Sequence, residues 1–436
     1  MSTQDYTKHV LSNGLTVLLV PMQGVKSATV LAFVHTGSRY EPVQWGGISH
    51  FLEHMVFKGT AMYPTAKDLA EAVDSVGAEF NAFTGKEYTG YYVKSSSAHI
   101  PLALDVVSDM LLTPRLLDED LQREKGVIIE EMNMYQDTPS RHIGDVFEQL
   151  MFAGSDLGRD IIGTKKTVMG IERDHFVSYI KEWYGLGNVV LTIAGDVVAL
   201  SRPGLLQDIE EMFAKKSDTS DRENGGAREH GDVLSHKSVL RVDYKKTEQA
   251  HFVMAVPGLK RGHKDRFVLG VLSVLFGGNM SSRLFTEVRE KRGLCYYVRS
   301  DVDAYHDVGT FGASAGVDPS RVDEAIKVVL EELHALTSTF GAKMITDDEI
   351  RRAKDYVIGK TILDFEDSES VANYYGNKQL LEGKVTTQAE ALEKIAAVTP
   401  EDVRRVASSL ITNDAKLYFA MIGPFKDEGR FEKILK

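Results

Sequence analysis

The sequence predicts an α+β protein of two homologous domains, each a β-sheet with helices packed on it. Three observations predict it. At 436 residues the chain is too long for one typical core. The stretch Ser217–His236, SDTSDRENGGAREHGDVLSH, is polar, holds three glycines and offers almost nothing to a core. The segments on either side repeat one order of elements. We therefore expect a first domain at 1–216, a linker at 217–236 and a second domain at 237–436.

In the first half, LSNGLTVLLVP sets Asn13-Gly14, a strong hairpin-turn pair, between β-prone runs. SATVLAFVHTG follows as a strand, then a helix within GGISHFLEHMVFKGT at 46–60. The second half opens with SVLRVDY, continues with the strand QAHFVMAVPG, and reaches the apolar helix RFVLGVLSVLFGG. Both halves then make a glycine-containing turn and a Tyr-Tyr-Val strand, EYTGYYVKS at 87–95 and GLCYYVRS at 293–300. Amphipathic helices come next, around 100–136 and 319–335. The second copy lacks the paired histidines of the first.

Composition narrows the function. Hydrophobic residues at 43% and charged residues at 26% suit a soluble globular protein. No apolar run reaches the length of a membrane span, and Met1–Lys8 opens polar, unlike a signal peptide. The single cysteine, Cys295, excludes an intrachain disulfide and fits a reducing compartment, most simply the cytoplasm. A formal charge of −12 argues against nucleic acid or anionic membrane as the main partner.

The chemistry concentrates in His50-Phe51-Leu52-Glu53-His54. On a helix, positions i and i+4 lie about 40° apart, so both histidines face one way with Glu53 beside them. Two neutral imidazoles at that spacing can grip one zinc ion, and the glutamate can act as base on a water there. The same residues also fit a helix with two hydrogen-bonded core histidines and a surface glutamate. A zinc site needs a third ligand. In LQREKGVIIEEMNMY, residues 121–135, one stripe holds Leu121, Glu124, Val127, Ile128, Glu131, Met134 and Tyr135, which we expect to be buried. Glu130 falls on the polar side with Arg123, Asn133 and Asp137. A carboxylate on an apolar face is costly unless paired or metal-bound. We expect Glu131 as third ligand and Glu124 as support for a ligand histidine. The alternative is two glutamates on a partly solvated face.

These segments together resemble the pitrilysin (insulinase, mitochondrial processing peptidase) family of zinc metallopeptidases, over nearly the whole chain. The resemblance rests on GSRYE at 37–41, the stretch 46–60, and the 76 residues between His54 and Glu131. GAEFNAFTGKEYTGYYV at 77–93 and GGNMSSRLFTEVREKRGLCYYV at 277–298 add to it. The layout is similar to the short subfamily related to mitochondrial processing peptidase. The resemblance implies one zinc ion per chain on His50, His54 and Glu131, with Glu53 as general base. It implies an endopeptidase for unfolded peptides or presequences. Arg289 and Tyr296, seven residues apart, match the family's substrate-binding pair: Tyr296 would donate to a developing oxyanion and Arg289 would hold a substrate carbonyl. Asn81, Ala82 and Phe83 match its substrate-binding edge strand. The working unit it implies is a homodimer whose active site is shared between chains. Leu186, in WYGLGNVVLTIAGD, stands where the family usually has proline, and we expect only a local loop change. Two rivals remain: a non-catalytic structural partner subunit, and a protein that captures peptides without cutting them.

Overall fold

The Asn13-Gly14 turn closes a hairpin between β1 (Thr7–Val10) and β2 (Thr16–Met22), which pair antiparallel. Gly14 takes φ +88, a conformation glycine adopts without strain, and the Asn13 side chain accepts from the Leu15 N–H at 3.1 Å. The computed structural model describes residues 5–216, 233–234, 239–412 and 414–435.

The first sheet adds β3 (Ser27–Val34), β4 (Glu79–Thr84), β5 (Thr89–Ser96) and β6 (Val189–Asp196), in the order β1-β2-β6-β3-β5-β4. Only β2 and β6 run parallel. Leu186 opens a single 3-10 turn, Leu186–Asn188, that leads into β6. The second sheet holds β7 (Leu240–Tyr244), β8 (Ala250–Gly258), β9 (Cys295–Ala304), β10 (Gly309–Val317) and β11 (Tyr418–Gly423), in the order β7-β11-β8-β10-β9. Its one parallel pair is β7 with β11. With β1 set aside the two orders coincide, so the halves repeat one topology; the expected match of EYTGYYVKS with GLCYYVRS is corrected, because β5 corresponds to β10 and not to β9. The edge strand β4 corresponds to the edge strand β9.

The compact units differ from the two continuous halves expected. One gathers the described residues within Met1–Met132, Arg159–Glu229 and Leu363–Thr387; the other takes those within Asn133–Gly158, His230–Ile362 and Gln388–Lys436. The expected linker at 217–236 lies outside the described residues, apart from Val233 and Leu234. The reason for the exchange lies in the sheets, which are apolar on both faces and need two covers. In the first unit, α1 (Ile48–Val56) and α2 (Ile100–Leu112) belong to the core on one face. The opposite face shows Leu18, Val20, Leu31, Phe33, Val190 and Ala194.

That second face of the first sheet is covered by a helix from the far end of the chain. Beyond α3 (Asp118–Asp137) and α4 (Pro139–Met151) comes α5 (Ser368–Glu382), which lays Val371, Ala372 and Tyr375 on it. Gly376 permits the approach, since a Cβ there would lie 2.8 Å from the Phe33 ring and the Thr192 hydroxyl. Lys94 Nζ meets Asp367 at 2.6 Å, and Thr29 and Ser368 share a hydroxyl bond of 2.9 Å. In the second unit the reciprocal cover is α4, whose Ile143, Val146, Phe147 and Leu150 pack on Val253, Ala255, Tyr418 and Ala420.

Each large apolar side chain on these faces contributes about 1.5–3 kcal/mol when buried. A fragment of residues 1–216 should therefore aggregate when expressed alone. Co-expression with residues 237–436 should yield a complex that co-purifies and melts cooperatively. A monomeric, cooperatively melting 1–216 fragment would show that α5 is dispensable to the first unit.

Candidate metal centre

Nine residues make α1, and its inward side is Ile48, Phe51, Leu52, Met55 and Val56. The period that buries these leaves His50, Glu53 and His54 half-buried on the other side. The helix starts at Gly47, φ +97, where a Cβ would fall 2.6 Å from the Ile162 carbonyl oxygen. Its first amides are taken by the fully buried Glu41 carboxylate, which accepts from the Gly47 N–H at 2.7 Å and the Ser49 N–H at 2.8 Å. Burial pushes the Glu41 carboxyl up to about 7, while the hydrogen bonds from Ser49 and Gly47 pull it back. The Ser49 hydroxyl continues to Tyr179 at 2.7 Å, and Tyr179 to Thr36 at 2.7 Å. The start of α1 is thus held by buried bonds on two sides.

The imidazole centroids of His50 and His54 lie 4.7 Å apart. Both rings turn Nε2 toward Glu131 Oε2, at 3.6 Å and 3.3 Å. One ligand atom from each of the three residues falls within 4.8 Å of the others. Burial, with His54 beside it, pushes the His50 ring down to about 4 despite Glu131, so its nitrogens are neutral near pH 7. Two neutral imidazoles and a carboxylate are a zinc donor set, and ligand atoms about 2.0–2.1 Å from a tetrahedral ion lie roughly 3.3 Å apart. The residues present fit the ion.

On α3 the buried residues are Leu121, Glu124, Lys125, Ile128 and Met132. This corrects the expected stripe: Val127 is 49% and Met134 50% exposed, so the buried side is turned toward Lys125 and Met132. Glu131 then sits at the margin, half-buried, with its carboxylate on the histidines. Glu124 is corrected too. It is only 3% exposed, and its carboxylate meets Lys58 Nζ at 2.7 Å with no hydrogen bond to either histidine. A buried anion requires a cation, and Lys58, just beyond α1, supplies it.

Glu53 Oε2 accepts a hydrogen bond from the Thr84 hydroxyl at 2.5 Å. Burial raises the Glu53 carboxyl above its ordinary value, with the Thr84 bond opposing. Thr84 ends β4, whose Asn81 is exposed, Ala82 buried and Phe83 half-buried, and whose outer side has no neighbouring strand among the described residues. Arg289 and Tyr296 belong to the second unit. Arg289 lies in the π-helical turn Phe285–Glu290, its guanidinium 5.1 Å from the centre of the Phe285 ring. Tyr296 is 65% exposed for a definite reason. Gly316 pairs with Tyr297 and Val317 with Cys295, so Tyr296 is the extra residue of a β-bulge. The sequence reading missed Glu41, Thr84 and this bulge. Glu41 and Thr84 both lie in quoted segments, but their partners are fixed by tertiary packing and not by spacing.

Comparison with known proteins identifies a family. Residues 16–165 match the insulinase family (peptidase family M16), and residues 170–357 match the domain described as the peptidase M16 inactive domain. An uncharacterized zinc protease of Streptomyces coelicolor is 37% identical over 96% of this chain and 89% of its own length. An uncharacterized zinc protease of Bacillus subtilis is 33% identical over 96% and 98%. Among solved structures, a protease from Helicobacter pylori superposes with a TM-score of 0.83 at 22% identity, covering 96% of this chain and 99% of that one. A chain of complex III2 from Candida albicans gives 0.80 at 18%, covering 98% and 99%. Likeness at these identities speaks for the fold alone.

Two measurements follow from the centre. Elemental analysis of natively purified protein should show most zinc lost in Glu131→Gln and kept in Glu130→Gln; the reverse pattern would mean that Glu130 is the ligand. The second concerns Glu41. Folded, it holds its proton to about 7; unfolded, it releases it near the ordinary 4.5. Between these values the folded state binds more protons, so stability falls as pH rises from about 4.5 to 7. In thermal melts the wild type should lose stability relative to Glu41→Gln across that range and level off above it. Parallel pH profiles would mean that folded Glu41 is ionised throughout.

Proposed function

The chain belongs to the insulinase family, peptidase family M16, and from that premise we propose a zinc-dependent endopeptidase that cleaves unfolded peptides or presequences, with one zinc ion per chain. The observation that carries this reading is the convergence of His50, His54 and Glu131, with Glu53 on the same helical turn. The 170–357 region contains no H-x-x-E-H, in keeping with its description as inactive.

A zinc ion held by the three ligands supplies Lewis-acid polarisation of the scissile carbonyl and a more acidic water. Glu53 takes the proton from the attacking water and delivers it to the leaving amine. An extended peptide adds to the edge of β4 along Asn81, Ala82 and Phe83 through backbone hydrogen bonds. Such pairing reads little sequence and requires an unfolded substrate. Arg289 holds a substrate carbonyl, and Tyr296 donates to the developing oxyanion. Support for Tyr296 comes from its bulge, since bulges re-aim side chains beside active sites. The working unit in this reading is a homodimer with each site shared between chains, and support for it is the family resemblance. The single cysteine, Cys295, suits a cytoplasmic protein, and no helix among the described residues is long and apolar enough to cross a membrane.

A mixed peptide pool incubated with the zinc-loaded protein and followed by mass spectrometry tests the activity. Chelator should stop cleavage. Glu53→Gln should keep its zinc and lose several orders of magnitude in turnover. Near-normal turnover in that variant would remove Glu53 from the mechanism, and an inert wild type would favour a non-catalytic peptide-binding or structural partner subunit.

The shared site has its own test. Glu53→Gln and Tyr296→Phe, each nearly inactive, are allowed to exchange subunits. Half of the dimers are then mixed, each with one intact site, so roughly a quarter of wild-type activity should return. No recovery, with exchange confirmed by mass, would place each site within one chain.

A further inference from the structure

We infer that Thr84 is the positioning residue of the general base: its hydroxyl fixes one oxygen of Glu53 and leaves the other to move the proton. The inference rests on the peptidase reading above. The hydrogen bond runs from Thr84 Oγ1 to Glu53 Oε2 at 2.5 Å. It is the one hydrogen bond that Glu53 makes through its carboxylate among the described residues. The terminal torsion of a glutamate is broad, so an unanchored carboxylate samples many planes. One anchored oxygen selects a plane and presents Oε1 in a defined direction. Proton transfer depends on such alignment at hydrogen-bond range.

The anchor itself is over-determined. Thr84 pairs with Thr89 across the β4–β5 hairpin, and the turn between them closes with Gly85 N–H donating to the Tyr88 carbonyl at 2.8 Å. Outside the hairpin, Ser38 N–H donates to the Gly85 carbonyl at 3.2 Å and Arg39 N–H to the Lys86 carbonyl at 2.9 Å. Gly37 makes room for this seam, since a Cβ there would lie 2.3 Å from the Gly85 oxygen. The buried Arg39 guanidinium meets the buried Glu87 carboxylate at 2.7 Å and locks the tip of the turn. Thr89 fastens the other strand by donating its hydroxyl to the Thr36 carbonyl at 3.0 Å. The Thr84 hydroxyl therefore has a fixed origin on a braced turn.

Thr84 also ends the strand on which a substrate would pair. A peptide adding to β4 stiffens the strand whose last side chain holds the base, so substrate docking and base alignment are coupled through the four residues from Asn81 to Thr84. A bond that merely satisfied a half-buried acid would be felt in stability or metal content. A positioning bond is felt in kcat.

The experiment compares zinc-loaded wild type, Thr84→Val and Thr84→Ser on one cleaved peptide, with zinc content, melting and affinity for an uncleaved peptide measured alongside. In Thr84→Val kcat should fall about ten- to hundredfold, the size of one lost hydrogen bond to a charged group. KM, zinc content and peptide affinity should stay within about twofold. Thr84→Ser should recover most of kcat. Should Thr84→Val not fold, Thr84→Ala carries the same comparison. A kcat within twofold of wild type, an equal loss in Thr84→Ser, or a loss that tracks zinc would each overturn the proposal while Glu53→Gln still defines the base. A wild type that cleaves nothing overturns the peptidase reading and this proposal with it.

Discussion

Glu41 receives the Gly47 and Ser49 amides inside the protein, and the geometry of the centre is set from that point. A nine-residue helix is marginal by itself, because nucleation consumes much of what its few internal bonds return. Its first amides have no partner in the helix and cannot be hydrated where they lie. With those amides on Glu41, and the Ser49 hydroxyl on Tyr179, the position and rotation of α1 are fixed at residue 49. His50 is the next residue, and His54 one turn on. The same segment that supplies Glu41 braces the turn after β4, through Gly37, Ser38 and Arg39. Helix and edge strand are therefore held by one short stretch, GSRYE.

The short-range part of this arrangement was legible from residues alone. His50, Glu53 and His54 announce themselves because helical period converts spacing directly into direction. The hairpin at Asn13-Gly14 followed from an equally local signal. Glu131 was legible as a carboxylate on a helix, yet the expected stripe was turned slightly the wrong way. Val127 and Met134 look like core residues by type, and only packing shows that Lys125 and Met132 take the inside instead. Glu124 failed for a related reason. Burial was inferred correctly, but the choice between a histidine and Lys58 is made by tertiary distance.

The exchange of helices between the halves left no mark that a linear reading can find. α4 has an ordinary amphipathic pattern and α5 has almost none, and nothing in either pattern says which sheet it will cover. A composition break such as Ser217–His236 does not say which residues share a core. The bulge at Tyr296 is similar. Tyr-Tyr-Val occurs in both halves, but at 296 one added residue in the ladder turns a strand position into an exposed one.

Four carboxylates near the centre are stabilised in four ways, and the differences sort their roles. Glu41 takes backbone amides and serves the helix. Glu124 takes the Lys58 ammonium, so its charge is already balanced. Glu53 takes a neutral hydroxyl, which holds its orientation without cancelling its basicity. Glu131 faces two imidazole nitrogens, and burial keeps the His50 ring neutral near pH 7. The neutral His50 ring offers the Glu131 carboxylate no countercharge, and Glu131 repels Glu53 nearby. A divalent cation among those three donors would reverse both terms: it attracts Glu131, accepts the imidazole lone pairs and lowers the cost of an ionised Glu53. The second unit shows the other side of this economy. Its helix Arg266–Ser273 buries Val268, Leu269, Val271 and Leu272 on the same sheet order with no histidine pair. Folding in either unit is driven by the apolar half of the helix, and the chemistry occupies the other half. A duplicated copy can lose the second without weakening the first.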